Sequence, residues 1–323
     1  MKLMQESQSP KLSAYNTILQ IARRNKAEGL CQTAEDLYEQ AIAMARAIPE
    51  PSLLIESLCE LATYYSFQSK DEQAKPLWEE IATHGQKHFQ PNNNMYVQSI
   101  FSLALLNEKN GNALAAESLY KELLQKQEAA FGDESLEICQ TVDKLAAFYC
   151  GQKQYSLAES LYLRILVIKE FHLGTCSVEI NYTVNALIDI FQRLGKWRLA
   201  EYMLNRQKAI LVALHGKESL CVASCALRLA ELQAVSIKQL DTAIDNLSFA
   251  VQTYKNKFGE HAGPVIALQK KLDQMLLARL ESKYLGTEIA SEIKIDEAIT
   301  VDLGSPPFPA EDPTPSLEPL IAV

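Results

Sequence analysis

A block reading Ala-Glu-x-Leu-Tyr returns along this chain at nearly constant intervals, as AEDLYEQAI from Ala34, AESLYKELL from Ala116 and AESLYLRIL from Ala158. Looser copies start at Ala74, Ala200 and Ala243, so successive alanines lie 40, 42, 42, 42 and 43 residues apart. Self-similarity at a fixed period of this size marks a solenoid, in which each unit is a small supersecondary structure that buries its apolar face only by stacking on the next. One elongated domain is the expected reading. A stacked array offers a binding surface first and a catalytic pocket rarely.

Two further markers run in step with the first. Glycines in FGDESLEI, LGTCSVEI, HGKESLCV and FGEHAGPVI (Gly132, Gly174, Gly216 and Gly259) are 42, 42 and 43 apart. Glycine just past a helical run is expected to form a left-handed C-terminal cap, with Asp133 and Thr175 as N-caps of the helix that follows. A Leu-Ala or similar pair recurs at Ile21-Ala22, Leu61-Ala62, Leu103-Ala104, Leu145-Ala146, Leu187-Ile188 and Leu229-Ala230. Between it and the Ala-Glu block lies a short turn holding Gly29, Gly111 or Gly195, replaced by Ser69 and Lys153 in other copies.

Each unit therefore reads as helix A, turn, helix B, turn. Apolar positions at i, i+3, i+4 and i+7, as in Leu157, Leu161, Ile165 and Ile168, are those of amphipathic helices rather than strands. Six units are placed at 11–48, 51–88, 93–130, 135–172, 177–214 and 219–256, and a closing helix runs from Pro264 to about Lys283. The expected organisation is a flexible stretch over 1–10, one all-α right-handed solenoid over 11–283, and a tail over 284–323. The tail holds six of the twelve prolines and an excess of acids, a composition that predicts disorder.

The formal net charge of -9 is unevenly spread. Residues 281–323 carry nine acids against Lys283 and Lys294 and so contribute -7, leaving -2 for the array. An array this close to neutral lacks the basic stripe that nucleic acid demands, so no nucleic-acid partner is expected. Seven cysteines form no CxxC pair, and their odd number cannot all bridge within the chain. With no stretch approaching a membrane span and no signal-peptide core in MKLMQESQSPKLSAY, the reading is a cytoplasmic protein without a membrane partner.

These residues resemble tetratricopeptide repeats, and the longer period with its AE-x-LY block is most similar to the variety in kinesin light chains. The shared pattern is a Leu followed by a small residue in helix A, a Gly before helix B, then a small residue with a large ring four later. Here that last pair reads Ala34/Tyr38, Ala74/Trp78, Ala116/Tyr120 and Ala158/Tyr162, weakening to Ala200/Leu204 and Ala243/Leu247. A four-residue step sets both on one face of helix B, the alanine admitting helix A and the ring filling the gap to the neighbour. The resemblance covers roughly residues 11–280.

The resemblance implies a concave surface lined by helix A, with ligand-facing side chains flanking each Leu-Ala pair. Those positions are Gln20 and Arg23, then Glu56 and Glu60, then Gln98 and Ser102, then Gln140, Asp143 and Lys144, then Tyr182, Asn185 and Asp189, then Arg228 and Glu231. The set is polar and mixed in sign. It lacks the Lys/Asn/Arg combination with which some family members clamp a terminal carboxylate, and it has no ladder of asparagines.

Other candidates have plainer explanations. His84 and His88 stand at i, i+4 on the last turns of a helix B, where imidazolium also interacts favourably with the helix dipole, so no metal is assigned. Cys221 and Cys225 share a helix face but are spaced too far along the axis for an easy bridge. Nucleotide-binding, zinc-protease and nucleophile-elbow motifs are all missing from the sequence. The sequence therefore reads as a non-enzymatic scaffold or adaptor without a cofactor, presenting its helix-A groove to a peptide or protein. The alternative is a regulatory module whose acidic tail fills that groove until a partner displaces it.

Overall fold

The computed structural model describes residues 2–285, and the tail over 286–323 lies outside the described residues. Among the described residues the chain is helical throughout, and it falls into two compact units that divide after Ile168. The first holds α1 (Lys2–Ala27), α2 (Cys31–Arg46), α3 (Pro51–Phe67), α4 (Asp71–His88), α5 (Asn94–Lys109), α6 (Ala113–Phe131) and α7 (Cys139–Gly151). A 3-10 turn over Leu136–Ile138 leads into α7, and α8 (Tyr155–Leu173) contains the division. The second unit continues with α9 (Val178–Arg193), α10 (Trp197–His215), α11 (Leu220–Leu232), α12 (Leu240–Phe258) and α13 (Gly263–Leu285).

In the first unit α1 packs on α2, α3 on α4 and α5 on α6, with α2 against α3 and α4 against α5. In the second, α9 packs on α10, α10 on α11, α11 on α12 and α12 on α13. From position 11 onward the helices follow the order of A and B helices expected from the sequence. The first begins at Lys2, upstream of position 11, where the repeat becomes legible.

Small side chains at the helix crossings explain the periodicity. Ala34, Ala74, Ala116, Ala158, Ala200 and Ala243 are all fully buried, as are their helix-A counterparts Ala22, Ala62, Ala104, Ala146 and Ile188. Alanine lets two backbones approach, and the ring four residues on fills the volume left beside the crossing. Tyr38, Trp78, Tyr120 and Tyr162 take that place, and Leu204 and Leu247 do so in the second unit. Gly85 serves one closer approach, since a Cβ there would lie 2.7 Å from Cδ2 of Tyr96 on α5.

The A-to-B turn is one motif built six times. In the first copy the Leu30 N–H donates to the Asn25 carbonyl, a 6→1 bond closing over Gly29 in the left-handed region (φ 75°). Ser69, Gly111, Lys153 and Gly195 hold the same place, with bonds from Lys70 to Tyr65, Asn112 to Asn107, Gln154 to Tyr149 and Lys196 to Phe191. Lys238 is the sixth, at φ 59°.

The sixth copy also accounts for the 43-residue interval. Lys238 lies eight residues beyond Ala230, whereas its counterparts lie seven beyond theirs, and the closing bond runs from Gln239 to Gln233 across one additional residue. Residues Gln233–Ile237 take up the insertion as a π turn, a wider loop of helix that holds one more residue per turn.

The B-to-A turn differs from expectation. Gly132, Gly216 and Gly259 do have positive φ (89°, 81° and 84°), but their ψ values of 161°, 156° and 160° lie outside the left-handed helical region. This extended, positive-φ conformation is nearly exclusive to glycine. The N-caps are likewise neither Asp133 nor Thr175. Ser135, Ser177 and Ser219, three residues after their glycines, accept from the N–H groups of Glu137, Ile180 and Val222. The extended glycine delays the helix start by two residues relative to a left-handed cap. The first joint has no glycine, and Pro51 at the first turn of α3 starts the helix instead, which shortens that interval to 40.

Candidate functional site

The first unit sets out its predicted site residues on four A helices. Gln20 and Arg23 are on α1, Glu56 and Glu60 on α3, Gln98 and Ser102 on α5, and Gln140, Asp143 and Lys144 on α7. Neighbouring rows touch. The Arg23 guanidinium reaches Glu56 at 2.8 Å and Glu60 at 2.9 Å, and the second oxygen of Glu60 accepts from the Tyr38 hydroxyl at 3.2 Å. Partial burial lowers the pKa of Arg23, but Glu60 and Glu56 outweigh it, so the net shift is upward. Gln98 donates to Thr63 at 3.5 Å. Asp143 serves the hydroxyl of Tyr162, whose pKa is raised first by burial and then by that carboxylate.

In the second unit Tyr182, Asn185 and Asp189 lie on α9, and Arg228 and Glu231 on α11. Arg228 gathers the row, donating to Asn185 at 2.7 Å, to Asp189 at 3.1 Å and to the buried Gln207 at 3.4 Å. Glu231 is held by Lys271 of α13 at 2.7 Å. Spacing along one helix does not reveal these bonds, which cross from one helix to another. Gln20, Ser102, Gln140, Lys144 and Tyr182 make no side-chain hydrogen bond among the described residues.

The most regular polar contact uses a residue the site prediction passed over, the glutamate of the Ala-Glu block. Glu35 accepts from the Tyr65 hydroxyl at 2.7 Å, and Glu117 accepts from Tyr149 at 2.7 Å. Glu201 in the second unit accepts from Gln233 at 2.8 Å. Tyr65, Tyr149 and Gln233 each stand three residues after the small residue of a Leu-Ala pair. The recurrence of that glutamate beside a fixed partner position in the next hairpin was the signal available in the sequence. Burial raises the pKa of Glu35, but hydrogen bonds from Tyr65 and Lys70 bring it below the ordinary carboxylate value. Lys121 and then Tyr149 lower that of Glu117.

A lowered carboxylate pKa has a definite sign in stability. The contribution of Glu117 is present above the unfolded value of about 4.3 and is lost as pH falls through the folded value. Glu117→Gln is therefore expected to lower Tm by a few degrees at pH 7, and the gap from the parent should narrow below about pH 4. Thermal melts followed by circular dichroism from pH 3 to 7 check this. A gap that widens in acid contradicts the assignment.

The B helices carry their own ladder. Twelve residues past one repeat alanine and six past the next, Arg46 pairs with Glu80 at 3.0 Å and Glu128 with Arg164 at 2.6 Å in the first unit. Glu170 and Arg206 do so in the second. Apart from the exposed Arg46, the members of these pairs are half-buried.

Burial pushes the Cys59 thiol up to about 12 and the Cys225 thiol up to about 11, which keeps both protonated. All seven cysteines are free thiols. His84 and His88 stack with ring centroids 6.3 Å apart. Among the described residues no three His, Cys, Asp or Glu side chains gather to hold a metal ion, and no helix is long and apolar enough to cross a membrane.

No protein-family model matches the sequence, and no curated protein does. Solved structures match the fold. A putative kinesin light chain of Podosopora anserina with nearly identical TPR-like repeats is 20% identical, covering 65% of this chain and 99% of that one at a TM-score of 0.53. BtubC (BKLC) from P. vanneervenii is 17% identical, covering 79% and 94% at 0.53. The apo form of RapI is 11% identical, covering 84% and 99% at 0.54. At these identities the likeness is one of fold. In fold, then, this chain is an all-α repeat protein of the tetratricopeptide type, built from paired helices like those of the kinesin-light-chain repeats.

Proposed function

We propose that the chain is a non-enzymatic scaffold that binds a peptide or protein along its helix-A faces. One observation carries this reading: successive A helices present polar side chains at equivalent positions, and several of the charges among them are already held by cross-helix bonds such as Arg23 to Glu60 and Arg228 to Asp189. A surface ordered before its partner arrives loses little entropy on binding, so many modest contacts suffice. Gln98, Lys144 and Tyr182 are exposed and available for such contacts. A cytoplasmic location is consistent with the seven free thiols.

The same bonds weigh against the acidic tail as occupant of the groove. Arg23, Arg228 and Lys271 are spoken for by acids of the array itself, so an acidic segment meets few unpaired cations there. Affinity purification with the intact chain tests the scaffold reading. Recovered partners are expected to be lost on Lys144→Glu, Gln98→Lys or Tyr182→Ala, with the melting temperature unchanged. Partners that survive all three substitutions refute a helix-A site.

A further inference from the structure

The last helix breaks the pattern of the helices before it. Aligned on the glycine turn, α13 is a seventh helix A, with Leu272 at the place of Leu229. Leu272, Val265, Leu268 and Met275 are buried against the preceding helices as that register requires. The side that helix B should cover is different. In α11 that side is Ala223, Ala226 and Ala230, all buried beneath α12. In α13 the same three places are Ile266, Gln269 and Asp273, none of them buried. The sequence does not repeat the Ala-Glu block either, because the position of the repeat alanine falls at Leu285, followed by Gly286.

A face of mixed character is left outward. Ile266, Leu277 and Leu280 are each more than half exposed (55%, 57% and 51%), and Leu276 flanks them at 37%. Asp273 stands midway along this stripe, bonded only to Gln269 of its own helix at 2.9 Å among the described residues, and Lys270 is exposed beside it. Two other α13 cations turn away, Lys271 to Glu231 and Arg279 to Asp241. An α-helical period of 3.6 puts Ile266, Lys270, Asp273, Leu277 and Leu280 on one side.

We propose that this face binds a second copy of the chain, the two α13 helices pairing antiparallel about a two-fold axis between residues 271 and 272. The stripe is complementary to itself in that register. Ile266 of each copy meets Leu277 of the other, with Leu280 one turn further closing over the same contact, and Lys270 of each meets Asp273 of the other. A two-fold contact requires this reciprocity, and a polar pair within an apolar seam selects one register at some cost in affinity. The acidic tail is the poorer occupant. Residues 286–323 hold eight acids and one lysine, which would crowd Asp273 with like charge.

Sedimentation velocity on the full chain over a wide concentration range tests the proposal. The expected result is reversible dimerisation, with the dissociation constant raised about tenfold or more by Leu277→Asp. Lys270→Asp and Asp273→Lys should each weaken the dimer, and the double variant Lys270→Asp/Asp273→Lys should restore it. All three positions are exposed, and unchanged melting curves confirm that each variant is folded. A chain that stays monomeric at the highest concentration reached overturns the proposal. So does a double swap that fails to restore association. If removing residues 286–323 creates a dimer that the full chain lacks, the tail covers the face instead and the proposal also falls.

Discussion

Trp78→Ala is expected to cost about 3–5 kcal/mol of stability, the largest loss from any single substitution considered for this chain. Trp78 is 1% exposed, lies in the core shared by α1 to α5, and donates its indole N–H to the Ser66 hydroxyl at 3.2 Å. Truncation removes the ring that fills the space beside Ala74, and the flanking backbones are too constrained to close the gap. Urea denaturation measures the loss. Hydrogen exchange should show it concentrated in α3, α4 and α5, because such arrays are stabilised by nearest-neighbour contacts. A variant that unfolds at the parent's midpoint would show that the ring is not the filler it is taken to be.

Ala116→Leu should cost about 1–3 kcal/mol by the opposite fault, overpacking. Ala116 is fully buried where α6 crosses α5, with Ala104 also fully buried in α5. Three added heavy atoms cannot be housed without separating the helices. The neighbouring Ala115 is exposed, so Ala115→Leu serves as the control and should stay within about 0.5 kcal/mol of the parent. Parallel thermal melts decide the matter. Equal stability of the two variants would remove the close crossing as the reason for the repeat's period.

The helices were legible because small residues recur at crossings. Ala34 and its five equivalents phase every hairpin, and no competing pattern reads through that spacing. Turn chemistry was less legible. A glycine after a helix announces a positive φ, but ψ is decided by what the next helix packs against. Gly132 and Ser135 therefore share a task that the sequence alone assigned to Gly132 and Asp133. The candidate site was legible as a set of positions and not as a set of bonds. Arg23 and Glu60 are 37 residues apart, and Arg228 and Asp189 are 39, so neither separation equals the period. Their meeting depends on how far one A helix slides along the next. The glutamate of the Ala-Glu block was visible in every strong copy, yet its role appears only when Tyr65 and Tyr149 are seen across the hairpin boundary.

The π turn at Gln233–Ile237 bears on how such a chain can lengthen during its history. One surplus residue is swallowed within a single loop of helix, and from Lys238 onward each side chain regains the station held by its predecessors in earlier hairpins. Counting residues between landmarks is then a poor ruler for comparing copies, while the left-handed residue five places before each repeat alanine is a dependable one. An insertion that would derail a β-ladder passes here as a local blister, and the downstream architecture never registers it.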